Sequence, residues 1–108
     1  MITEVVTFKL PAGMTREQVV EAFRKSVPIW SANPDLIRKN YLYDAARGLG
    51  GGVYLWKSVE DARRWHGDAF RKRVADTFGS EPTFTYYDTP IVIDNPTRKV
   101  SDDAAATA

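Results

Sequence analysis

The sequence predicts an α+β domain with the element order βαββαβ, a ferredoxin-like antiparallel sheet carrying both helices on one face. Three observations lead there. Strand-like and helix-like patterns follow one another in that order over residues 1–95. A chain of 108 residues has room for one hydrophobic core and not for two. The strands also carry Tyr and Trp on a face that is expected to lie uncovered by the helices, so a second copy of the chain is expected to complete the fold as a homodimer.

Residues 2–10 are rich in Val, Thr, Ile and Phe, and Val6 and Phe8 alternate against Val5 and Thr7 as in a central strand. Pro11-Ala12-Gly13 ends this strand. Thr15-Arg16-Glu17-Gln18 has the form of a capping box, and Met14 is placed to staple onto Val19 and Val20. Val19, Val20, Phe23, Val27 and Trp30 continue at helical spacing, with Pro28 expected to kink or loosen the last turn. Asn33-Pro34-Asp35 marks a turn. Residues 36–44 then place Tyr41 and Tyr43 on one face and Arg38, Asn40 and Leu42 on the other; in residues 51–56, Val53 and Leu55 oppose Tyr54 and Trp56.

Gly48, Gly50, Gly51 and Gly52 lie between these two strands and read as a hairpin loop; because no helix follows, they form no phosphate-binding fingerprint. Ser58 and Asp61 cap one long second helix, whose apolar side runs through Ala62, Trp65, Ala69, Phe70, Val74 and Phe78 until Gly79 stops it. Residues 82–94 make the last strand, and Pro90 confines it to an edge or a bent course. Residues 96–108 have no core-forming pattern and read as a flexible C-terminal tail beyond the 1–95 domain.

Composition removes several classes of function. With 44% hydrophobic and 27% charged residues the chain is ordinary for a globular protein, so bulk disorder is not expected. Fifteen Lys and Arg against fourteen Asp and Glu leave a net charge of +1, which is too little to attract nucleic acid or an anionic membrane surface. No stretch approaches the roughly 20 apolar residues of a membrane span, and the N-terminus has no basic segment before an apolar run, so a soluble cytoplasmic protein is expected. The chain has no cysteine, hence no thiolate nucleophile, disulfide or Cys-ligated metal. No His, Asp and Glu cluster has metal-ligand spacing, and no metal site is expected.

Three sets of residues can carry chemistry. His66 is the only histidine and lies between Ala62 and Phe70 in the apolar stripe of its helix, so it faces the sheet or its rim. It is either a satisfied core histidine, a general base or a haem ligand. Trp30, Tyr41, Tyr43, Tyr54, Trp56, Tyr86 and Tyr87 are core and dimer packing or, alternatively, the wall of a pocket between the sheet and a partner subunit that stacks on a flat ligand. Lys39 and Arg38 sit mid-strand, at a wet sheet edge unless Lys39 points inward, where it could stabilise a phenolate or enolate. Lys39 and Asn40 cannot both point inward from a regular strand.

Ile37-Arg38-Lys39-Asn40-Tyr41-Leu42-Tyr43-Asp44, the string Gly51-Gly52-Val53-Tyr54-Leu55-Trp56-Lys57-Ser58 and the passage from Phe78-Gly79 to Phe84-Thr85-Tyr86-Tyr87-Asp88 together resemble the YdhR-like family of proteins named as monooxygenases. That family belongs to the dimeric α+β barrel superfamily and is similar to the cofactor-free antibiotic-biosynthesis monooxygenases. The resemblance spans roughly residues 2–95. It implies a homodimeric barrel and an oxygenase that needs no cofactor, acting on a small aromatic, phenolic or polyketide-like substrate. If the chain is such an oxygenase, its own pattern offers His66 and Tyr54 as the catalytic residues and Trp30, Lys39, Tyr41, Trp56 and Tyr86 as those that bind the substrate. The competing expectation is a non-catalytic dimer that holds a hydrophobic small molecule or haem.

Overall fold

The computed structural model describes residues 1–103. Its elements are β1 (Ile2–Lys9), α1 (Arg16–Ser31), β2 (Leu36–Asp44), β3 (Leu49–Trp56), α2 (Val59–Trp65), α3 (Asp68–Phe78), β4 (Thr83–Asp88), β5 (Ile91–Asp94) and β6 (Lys99–Asp102). β1 to β4 form an antiparallel sheet in the order β2-β3-β1-β4. That order, with α1 and the α2–α3 pair crossing one face, is the ferredoxin-like α+β fold.

Local chemistry sets the element ends. Thr15 caps α1 through its hydroxyl, which accepts from the Gln18 amide, while Gln18 Oε1 accepts from the Thr15 amide; this is the reciprocal capping box its sequence foretells. α1 continues through Pro28 to Ser31 without a break. Gly79 ends α3 in the left-handed conformation, at φ +74°, where a residue with a Cβ would be strained.

The structure departs from the sequence reading in four places. The second helix is two: His66 leaves helical geometry and Gly67, the poorest helix former after proline, separates α2 from α3. β3 begins at Leu49 rather than at Gly51, so Leu49 and Gly50 are strand and Gly48 is left in the turn at φ +65°. The last strand breaks at Thr89-Pro90, because proline cannot donate to a ladder. The chain beyond Pro96 returns as β6 against β5, so residues 99–102 are not tail; residues 104–108 lie outside the described residues.

The core lies between sheet and helices, where Val6, Phe8, Trp30, Tyr54, Trp56, Ala62, Phe70, Val74 and Phe78 pack together. The aromatic face of the sheet is therefore the covered one. This corrects most of the expectation that Tyr and Trp lie on the bare side: there the pleat presents Val5, Val53 and Leu55, with Leu42 and Thr3 beside them, and Tyr87 opposite Thr3 is the aromatic that does face that way. Val92 of the β5–β6 hairpin shares a shallow recess with Val53 and Leu55 on that side, while Ile91, Ile93 and Val100 on the hairpin's other face are 52%, 66% and 63% exposed. Among the described residues no helix is long and apolar enough to cross a membrane.

Candidate functional site: an aromatic cavity around Lys39

A cavity of about 260 Å³ opens between α1, α3 and the sheet. Its floor is Gly52. A Cβ there would lie 3.0 Å from the Tyr54 ring and 3.1 Å from the Lys39 stem, so a glycine at this inward position of β3 is what keeps the space open. Trp30, Tyr41, Tyr54, Phe23, Phe70 and Phe78 supply the walls. Trp30 meets Tyr54 edge-on at 5.3 Å, and Phe23 stacks on Tyr41 at 4.9 Å.

Lys39 points into this space. It shares its face of β2 with Tyr41, while Arg38 and Asn40 face away, as the pleat demands. Its Nζ sits 3.9 Å from the Tyr41 ring centre, 4.5 Å from Tyr54 and 4.8 Å from Trp30. It makes no ion pair among the described residues. Burial in this apolar surround, helped by the charge of Arg73, pulls the Lys39 amine down to about 7. Burial raises the Tyr41 and Tyr54 hydroxyls, so both keep their protons at neutral pH and can donate to a ligand oxygen. Tyr41 is further fixed by Ser26, 2.6 Å from its hydroxyl.

Behind Tyr54 lies a second, sealed group. Glu4 projects from β1 on the same face as Val6 and Phe8 and is 0% exposed. Its Oε1 accepts from Trp56 Nε1 at 2.9 Å and lies 2.6 Å from His66 Nδ1, a contact of charge and proximity that is not aligned as an N–H···O bond. His66 is 4% exposed, stacks on Phe70 at 4.0 Å and meets the Tyr54 ring edge-on at 4.4 Å. Burial lowers its pKa, with Glu4 opposing. Tyr86 is pushed up to about 12 by burial and then by Glu4.

Of the sequence-derived candidates, Tyr54, Trp30, Lys39 and Tyr41 thus line the cavity, whereas His66, Trp56 and Tyr86 do not. Both His66 nitrogens are buried, a poor fit to a haem that needs an open nitrogen. Sequence reading missed Glu4, Arg73 and Gly52. For Glu4 a signal existed, a charge at the inward parity of a central strand; for Arg73, set on an exposed helix side, there was none.

No family model matches the chain, and no curated protein matches it. Solved structures do. A protein of unknown function from Nitrosomonas europaea is 13% identical, with a TM-score of 0.66 over 82% of this chain and 87% of that one. A structure named as an antibiotic biosynthesis monooxygenase is 12% identical, with a TM-score of 0.64 over 82% and 98%. SnoaB, a cofactor-independent oxygenase from Streptomyces nogalater, is 13% identical, with a TM-score of 0.60 over 82% and 91%. The chain has the fold of the antibiotic biosynthesis monooxygenase-like proteins.

Proposed function

We propose that the protein is an oxygenase without a cofactor, acting on a small planar aromatic that carries an ionisable hydroxyl. The observation that carries this reading is an amine of near-neutral pKa, with no acid paired to it among the described residues, inside an aromatic cavity of ligand size. The fold shared with SnoaB and the likeness to the YdhR-like proteins point the same way, by analogy.

The chemistry follows from the residues. A substrate ring stacks among Trp30, Tyr41 and Tyr54, and the neutral Lys39 amine takes its phenolic proton. The resulting ammonium then holds the phenolate while the ring carbon para to it passes electrons to dioxygen. A C–O bond forms, the ring carbon gives up its hydrogen as a proton, and the O–O bond breaks as water leaves. The balance is phenol plus O2 giving quinone plus water, four electrons from the ring reducing O2 with no outside reductant. Apolar walls keep water from the carbanion-like intermediate.

Oxygen uptake with 1-naphthol as probe tests the reading. Consumption of one O2 per 1,4-naphthoquinone formed is expected. Binding of naphthol without uptake would replace it with the non-catalytic binding reading.

The working unit is proposed to be a homodimer joined through the bare sheet face. The half-buried Val5 and Val53 and the exposed Tyr87 on that face, with the outward Ile91, Ile93 and Val100 of a hairpin too short to be stable alone, favour it. Light scattering that returned the 12.2 kDa monomer at micromolar concentration would sink this part.

A further inference from the structure

The cavity is unbalanced in charge. Among the residues lining it are three basic side chains, Lys25 on α1, Arg73 on α3 and Lys39 on β2, and no Asp or Glu. None of the three has an ion pair among the described residues. The acids nearest in sequence are engaged elsewhere: Glu21 faces Arg24 at 3.7 Å, and Asp76 holds Lys72 at 2.7 Å. Glu4, the buried acid of the fold, is on the far side of Tyr54 against Trp56 and His66. Arg73 is exposed but not idle, since its guanidinium lies over the Trp30 and Phe70 rings at 5.9 and 5.7 Å and is thereby directed along the cavity wall.

We infer that the ligand of this cavity is an aromatic acid: a planar ring system whose carboxylate meets Arg73, with Lys25 across the mouth, and whose opposite end reaches Lys39. The ring satisfies the stacking surfaces, and the carboxylate supplies the negative charge that the protein leaves out. Arg, with its planar fork, suits a carboxylate better than a point charge does. The inference rests on the proposed oxygenase reading only for the hydroxyl at the Lys39 end; the anion site stands or falls by itself. Joined to that reading, it names the substrate class as hydroxylated aromatic carboxylates.

The experiment compares 2-naphthoate with its neutral isostere 2-naphthamide by quenching of tryptophan fluorescence. At low salt the acid is expected to bind about tenfold tighter than the amide, a preference that shrinks as salt screens the exposed Arg73. Arg73→Gln should abolish the preference by weakening naphthoate alone, leaving naphthamide affinity and the folded far-ultraviolet spectrum unchanged. Equal binding of acid and amide by the wild type, or an equal loss of both in the variant, overturns the inference. Failure of both probes to bind at millimolar concentration also overturns it, and oxygen uptake on 1-naphthol then decides the oxygenase reading alone. The two remain separable: a naphthoate preference with no oxygen uptake on 5-hydroxy-2-naphthoate, whose hydroxyl and carboxylate lie on different rings and whose para carbon is free, leaves the acid site standing and the oxygenase fallen. Oxygen uptake on 1-naphthol with no preference for the acid does the reverse.

Discussion

Lys39 and His66 are both titratable groups placed between the sheet and its helices, and Tyr54 stands between them. Lys39 lies in a space a ligand can enter, with the floor left open by the missing side chain of Gly52 and rings on three sides. His66 lies against a fully buried carboxyl with both ring nitrogens covered. Burial lowers the pKa of each, yet only one can touch a substrate. A perturbed pKa identifies a site only when access accompanies it. Of the two groups the sequence offered as general base, His66 and Lys39, the difference favours Lys39 in the proposed reaction.

The largest expected effect follows from that choice. Lys39→Met should lower kcat/KM for the oxidation of 1-naphthol by about 10² to 10⁴, the usual worth of a positioned general base. In the wild type, kcat/KM should rise with pH through about 7 as the amine loses its proton, and then level off. Lys39→Arg, which keeps the charge and never releases it, should lose the activity and the rise together. A Lys39→Met enzyme as fast as the wild type would return the base to the histidine cluster or to no residue of the chain.

A smaller effect tests the cavity without touching its chemistry. Gly52→Val places branched carbon where a Cβ already meets Tyr54 and Lys39 at 3.0 and 3.1 Å. Naphthol and naphthoate affinity should both fall more than tenfold, with a stability loss of about 1–3 kcal/mol from overpacking. Unchanged affinity would mean that these ligands bind elsewhere.

Much of the fold could be read from residues. The Thr15 capping box, the stop at Gly79, the split of Tyr41 from Asn40 across β2 and the order of the first four strands all follow from short-range rules that the tertiary structure leaves intact. What could not be read depended on neighbours distant in sequence. Gly50 to Gly52 resemble a turn until β1 and β2 pair on either side of them; a Cβ on Gly51 would lie 1.9 Å from the Val6 carbonyl oxygen. The β5–β6 hairpin has too little apolar pattern to announce itself. Its base is held by the N-terminal amine, which pairs with Asp103, and by the Thr89 amide, which donates to the Met1 carbonyl. The site divided likewise. Lys39 could be assigned a face but not a cover, and Glu4 and His66, 62 positions apart, gave no sequence sign that they meet.

The smallest effects separate the two regions by pH. The pKa of His66 is below its ordinary 6.5 in the folded chain, mainly through burial. As pH falls below 6.5 the unfolded chain binds a proton that the native state refuses, so stability is lost downward from there, and above 6.5 this group contributes no slope. Lys39, folded near 7 against an ordinary 10.5, acts in a different window: stability rises with pH between about 7 and 10.5 and is flat below. His66→Ala, which strips the imidazole from buried Glu4 and leaves a hole against Phe70, should cost about 2–4 kcal/mol in urea unfolding. It should also flatten the acid-side slope attributable to His66, leave the alkaline slope in place, and leave oxidation per folded molecule within about twofold. Lys39→Met should do the opposite, removing the alkaline slope and sparing the acid one. A His66→Ala protein that keeps its stability but loses oxidation would show that the imidazole reaches the substrate after all, and that Tyr54 is a gate between the two regions rather than a wall.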